Sequence, residues 1–82
     1  MADYKRGTDT KFVRIEAIGN TAQAIVREYA DHMASNSVPR FVFDAAEAMM
    51  ADELEHAGAK ESDLQIRRMT ASAIQLAQAA AE

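Results

Sequence analysis

The chain has few large apolar side chains from which to build a core. Of its 82 residues 49% are hydrophobic, but 18 of these are alanine, which leaves 22 larger apolar side chains. A core of this size seldom supplies more than about 3–5 kcal/mol, so small domains often add disulfides, metals or partner chains. Because the sequence has no cysteine, disulfides are excluded. The composition therefore predicts one small domain that gains stability by association.

Several classes of protein are disfavoured by composition. The absence of cysteine excludes thiolate metal sites and cysteine nucleophiles. No apolar run reaches the length of a membrane span, and "MADYKRGTDTK" lacks the apolar segment of a secretion signal. We therefore expect no membrane contact and a cytoplasmic location, or a virion if the chain is phage-encoded. The net charge of −4 makes general nucleic-acid binding an unfavoured function.

The first half of the chain carries a helical pattern. Residues 1–9 are polar and are interpreted as a flexible arm. Residues 10–34 then show apolar positions at intervals of three and four, which predicts a helix that is either continuous or kinked at Gly19. The stripe consists of Phe12, Ile15, Ala22, Val26, Tyr29 and Met33, with Ile18 and Ile25 beside it. The alternative is a strand over residues 12–18, since "FVRIEAI" also alternates.

The second half predicts two more helices. "ASNSVPR" marks a loop, after which Ser37 or Asp44 could cap a helix that runs to residue 57 and ends at Gly58. Ser62 has the spacing of a capping box with Gln65, and the third helix is expected over residues 63–80. Its heptad stripe consists of Ile66, Met69, Ala73, Leu76 and Ala80. The prediction is an all-α, three-helix domain with helices at about 10–34, 38–57 and 63–80.

The second predicted helix has more apolar surface than one packing face requires. Its apolar positions form two neighbouring stripes, which favours burial on two sides, one of them against a partner. Methionine also suits adaptable interfaces. The predicted partner interface consists of Phe41, Phe43, Met50 and Leu54.

The same helix carries an excess of carboxylates. Two interpretations stay open: a solvated helix face, or an acidic surface that meets a basic partner protein. The acidic surface consists of Asp44, Glu47, Asp52, Glu53 and Glu55.

Sites for chemistry are scarce in the sequence. Glu53 and His56 form an E-x-x-H pair, but a di-iron carboxylate site needs this motif on two helices together with further glutamates. There is no phosphate-binding loop and no G-x-S-x-G motif. We therefore predict no catalytic residue, no cofactor and no metal, and keep a helical metal-binding protein as an alternative.

The sequence is best interpreted as a non-catalytic protein–protein interaction or assembly module. The expected partner is a second copy of the chain or a larger assembly, and size and composition suggest a phage or mobile-element component. The alternative is a small dimeric DNA-binding regulator. A helix-turn-helix would use Arg67 and Arg68, whereas a ribbon-helix-helix would use Arg14 and Glu16 on a strand.

Overall fold

The chain folds into helices joined by short connections. The computed structural model describes the backbone of residues 2–34 and 37–81, and the side chains of residues 11–34 and 37–81. The helices are α1 (Ala2–Glu28), α2 (Ala30–Met33), α3 (Arg40–His56) and α4 (Asp63–Ala80). Within these ranges there is no strand. The predicted all-α class is confirmed.

The first helix differs from its prediction in where it breaks. It runs through Gly19 without interruption, and the chain leaves helical geometry only at Tyr29, whose φ and ψ are −129° and 37°. The strand interpretation of residues 12–18 is therefore wrong. The backbone of α1 is helical from Ala2, so the arm expected over residues 1–9 coincides with the start of this helix, and its flexibility stays a prediction.

The later helix ends follow local signals in the sequence. Pro39 is the N-cap of α3 in extended geometry, so α3 begins well before Asp44, the later of the two expected caps. Gly58 follows α3 with φ +72°, a conformation that glycine adopts at little cost. The Ser62 hydroxyl oxygen accepts a hydrogen bond from the Gln65 backbone N–H at 3.1 Å, which confirms the predicted cap of α4.

Side-chain contacts show how the helices are oriented relative to one another. Near the C-terminal end of α1, the ring of Tyr29 lies 6.2 Å from that of Phe41 at the start of α3. Further back along α1, Thr21 donates a hydrogen bond to the Met50 sulfur at 3.7 Å. The two helices are thus antiparallel. α4 then returns alongside α1, and each of the three long helices packs against the other two.

The core between these helices combines large apolar side chains with alanines. Its largest fully buried members include Ile25, Met33 and Met50. Five of the twelve buried apolar residues are alanines, which lets the helix backbones approach closely. The buried apolar residues are Ala17, Ala22, Ile25, Met33, Val42, Ala46, Met50, Leu54, Met69, Ala73, Ile74 and Ala77.

The core excludes part of the apolar stripes predicted from spacing. Phe12 and Ile15 of α1 are 65% and 61% exposed, and Leu76 of α4 is 50% exposed. In place of Phe12 and Ile15, α1 buries Ala17 and Thr21 on the neighbouring side of the helix. Phe12, Ile15 and Leu76, which belong to the predicted apolar stripes, therefore lie at the surface.

α1 is long enough to extend beyond the other helices. Its 27 residues span about 40 Å and the 17 residues of α3 about 26 Å, while the long axis of the molecule measures 44 Å. Because the C-terminal end of α1 lies level with the start of α3, the extra length lies at its N-terminal end. Phe12 lies in the N-terminal half of α1, and Ile15 lies at its middle.

We expect truncation of two leucines to distinguish a core position from a surface position by its effect on stability. Leu54→Ala removes a side chain that is only 2% exposed and should lower the free energy of unfolding by about 2–5 kcal/mol. The matched control Leu64→Ala changes a side chain that is 61% exposed and should cost less than about 1 kcal/mol. Urea denaturation followed by circular dichroism measures both. Equal losses would contradict the assignment of Leu54 to the core.

Candidate functional site

An open apolar groove lies between α1 and α4. It encloses about 520 Å³, and Gly19, Ala22 and Val26 of α1 contribute to its lining. Leu76 and Ala80 contribute from α4. A Cβ atom at Gly19 would have no neighbour within 4 Å, so the space above this glycine is free. The groove faces away from α3, because α3 packs on the opposite side of the α1 and α4 pair.

Large apolar side chains continue the groove along α1. Phe12 and Ile15 precede Gly19, Ala22 and Val26 at alternating intervals of three and four, so all five lie on one side of the helix. This is the spacing by which a helix packs along a partner helix. We call these five residues, with Leu76 and Ala80 of α4, the α1/α4 face.

The partner interface predicted on α3 lies mostly inside the molecule. Met50 and Leu54 are 0% and 2% exposed, so both belong to the core of this chain and neither offers contact surface. Phe43 is half-buried against the core. Phe41 is 56% exposed, and the centroid of its ring lies 5.2 Å from that of the His32 ring in an edge-to-face arrangement. Met50 and Leu54 are therefore core residues of this chain, while partner contact by Phe41 and Phe43 stays a prediction.

The acidic surface lies on α3 as expected, but several of its carboxylates have partners within the chain. Asp44 pairs with Arg40 at 3.5 Å, and both side chains are exposed. Glu53 accepts a hydrogen bond from the Asn20 amide at 3.0 Å. Exposed pairs of this kind contribute little to stability. They nevertheless reduce the charge that is free to meet a basic partner.

Two further carboxylates of the acidic surface have basic neighbours. Glu47 lies 3.7 Å from Arg67 of α4, and Asp52 lies 3.6 Å from His56 one helical turn later. Glu55 is exposed at the C-terminal end of α3. The acidic surface is thus a helix face whose charges are balanced in part by neighbours.

A bidentate ion pair joins α1 to the segment before α4. Arg14 donates from Nε and Nη2 to the two carboxylate oxygens of Glu61, at 2.8 and 2.9 Å. Hydrogen bonding to Glu61 raises the pKa of Arg14 above its usual value. The Glu61 side chain is 7% exposed, which makes this the most enclosed of the ion pairs described. It fixes α1 at the level where the helix begins to extend past the bundle.

The E-x-x-H pair does not form a metal centre within the described residues. The Glu53 carboxylate is directed to Asn20, and the His56 Nδ1 lies 2.8 Å from the Asp52 carbonyl oxygen. No cluster of three or more histidine or acidic side chains with suitable spacing occurs among residues 11–34 and 37–81. The metal-binding alternative therefore gains no support from this pair.

The DNA-binding alternatives are affected unequally. The ribbon version required a strand at residues 12–18, and this segment is helical, with Arg14 engaged by Glu61. In the helix-turn-helix version, Arg67 lies near the acidic Glu47, while Arg68 is exposed. A basic surface on α4 would therefore depend mainly on Arg68.

Comparison of the chain with protein-family models, with curated proteins and with solved structures finds no match. Across the portion of the chain that the structure describes, no helix is both long enough and apolar enough to cross a membrane.

The sequence did not point to the α1/α4 face, because the excess of apolar residues placed the predicted partner interface on the helix at about 38–57. α1 carries a second stripe beside the first, consisting of Ala17, Thr21 and Ile25 at intervals of four. Ala17 and Thr21 are smaller than Phe12 and Ile15 and allow closer helix packing. The signal was the presence of two adjacent stripes on a single helix, only one of which a three-helix domain can bury.

We expect the pKa of His56 to lie above its ordinary value of about 6.5. The hydrogen bond to the Asp52 carbonyl oxygen is the main cause, followed by attraction to the Asp52 carboxylate. Because folding raises the pKa of His56, the protonated ring stabilises the folded state fully at pH values below the pKa that His56 has in the unfolded chain. This contribution is lost as the pH rises through the pKa of His56 in the folded chain. NMR titration of the ring protons measures the shift.

The variant Asp52→Asn tests the cause of this shift. It removes the carboxylate but keeps the backbone carbonyl, so the pKa of His56 should fall part of the way toward its ordinary value. A pKa at or below that value in the unmodified chain would contradict the geometry at the end of α3.

Proposed function

We propose that this chain is a non-catalytic protein–protein interaction module that assembles through its α1/α4 face. The observation that carries the proposal is the exposure of Phe12, Ile15 and Leu76 around an apolar groove. Isolated surface hydrophobic residues are common, whereas apolar side chains that adjoin a groove are typical of interaction sites.

The energetics support the use of this face. Full burial of a phenylalanine, isoleucine or leucine is worth roughly 1.5–3 kcal/mol relative to exposure. Three such side chains, each at least half exposed, together represent a stabilisation comparable to the whole margin of a small core. A partner that covers the face would therefore change the stability of the domain substantially.

The shape of the face suits a helical partner. The groove is shallow because part of its lining is small, namely Gly19, Ala22 and Ala80. Phe12 and Ile15 project beside it. An amphipathic helix binds such a surface through apolar residues at intervals of three and four. Gln23 and Arg27 are the polar members of the groove lining, and both lie on α1.

The acidic surface supports a second, weaker candidate, an inhibitor of a basic partner. The phage or mobile-element context, the cytoplasmic location and the helix-turn-helix alternative also stay predictions. DNA binding by Arg68 would give a duplex affinity that decreases with salt and weakens in Arg68→Ala. An unchanged duplex affinity in Arg68→Ala would remove that alternative.

We expect two variants of the α1/α4 face, one double and one single, to abolish association without unfolding the domain. Phe12→Ser with Leu76→Ser replaces two exposed apolar side chains by polar ones. Gly19→Leu fills the groove where the structure has free space, and leucine also favours the helix by up to about 1 kcal/mol. Sedimentation velocity of the fluorescently labelled chain, alone and in extract of its host, measures association.

The control is Leu64→Ser, which changes a leucine that is 61% exposed on another side of α4. The unmodified chain and this control should sediment faster than a 9.0 kDa monomer, alone or in extract, whereas both face variants should sediment as monomers with unchanged helicity. Monomeric sedimentation of the unmodified chain in both conditions would refute the proposal, as would face variants that still associate.

A further inference from the structure

We infer that the occupant of the α1/α4 face is a second copy of this chain, packed about a two-fold axis with the two α1 helices antiparallel. This inference rests on the proposed interaction function and identifies its partner. Two independent features carry it: the shape of the two ends of the face, and the charges along its edge.

The two ends of the α1/α4 face are complementary in shape. At one end of the face, before Gly19, Phe12 and Ile15 project from α1. Toward the C-terminal end, the groove is lined by Gly19, Val26 and Leu76, among others. An antiparallel two-fold arrangement sets the projecting end of each copy into the groove end of the other. A surface that contacts itself in this way is isologous and closes at two copies.

The charges beside the face are also complementary under this arrangement. Glu16, Gln23 and Arg27 follow one another at intervals of seven and four, so they lie along the same edge of α1. Neither Glu16 nor Arg27 has an ionic partner among the described side chains. Antiparallel packing brings Glu16 of each copy near Arg27 of the other, which forms the pair twice. Parallel packing would instead place Glu16 level with Glu16 of the other copy, and Arg27 level with Arg27, along the two α1 helices.

The rest of the molecule is compatible with this dimer. α3 lies on the side away from the groove and carries the acidic surface, so its carboxylates stay in solvent. The dimer core would consist of α1 and α4 from both copies, which is the arrangement of a four-helix bundle.

Charge reversal gives a test that depends on the orientation of the two copies. Glu16→Arg leaves two arginines at each contact of a homodimer, and Arg27→Glu leaves two glutamates. Each variant alone should dissociate about tenfold or more readily than the unmodified chain. In an equimolar mixture of the two variants, one contact pairs the introduced arginine with the introduced glutamate, and the other contact keeps the original pair. The mixture should therefore form a heterodimer.

Sedimentation equilibrium of the full chains, alone and mixed, measures the dimer dissociation constant. The controls Glu55→Arg and Arg40→Glu make the same charge changes on α3 and should leave that constant within about threefold of its original value. Circular dichroism checks that every variant keeps its helicity.

The outcomes separate this inference from the proposed function. If the unmodified chain associates only in extract, or if its dimer is insensitive to Glu16→Arg and Arg27→Glu, the antiparallel second copy is refuted while the interaction function stands. Failure of the mixture to restore the dimer refutes the antiparallel orientation. Absence of association both alone and in extract refutes inference and function together.

Discussion

Close packing through alanine is the constraint on which the rest of this structure depends. With 22 apolar side chains larger than alanine, the chain cannot fill a wide core, so α1, α3 and α4 must approach closely. Ala46, Ala73 and Ala77 are fully buried at these contacts. Among the described residues the core holds seven apolar side chains larger than alanine, and Phe12 and Ile15 are not among them because they lie on another side of α1.

The Arg14–Glu61 pair determines where the excluded side chains are placed. It ties α1 to the segment before α4 with two short hydrogen bonds in a partly buried setting, which fixes the rotation of α1 about its own axis. Bidentate geometry restricts orientation more than a single contact does. With α1 held this way, Ala17 and Thr21 face inward, and the apolar stripe that begins at Phe12 lies along the groove.

The sequence predicted local features well and the orientation of helices poorly. Gly58 and the Ser62 cap depend on the chemistry of a few neighbouring residues, so the limits of α4 could be read directly. The rotation of α1 depends on a choice between two adjacent stripes, and this choice is made by contacts with Met50 and Glu61, which are distant in sequence. The same limitation explains why Met50 was assigned to a partner surface. Burial is set by the packing of the whole domain, which a pattern along one helix does not contain.

The distribution of charge and apolar surface gives the molecule two distinct sides. α3 presents carboxylates to solvent, and the α1/α4 face lies on the opposite side with apolar residues flanked by Glu16 and Arg27. Two acidic surfaces repel one another, so association through α3 is disfavoured for identical copies. The apolar side has no such penalty, and its edge carries both signs of charge. In the dimer that we propose, this segregation places the contact on the α1/α4 face and leaves the acidic side of each copy in solvent.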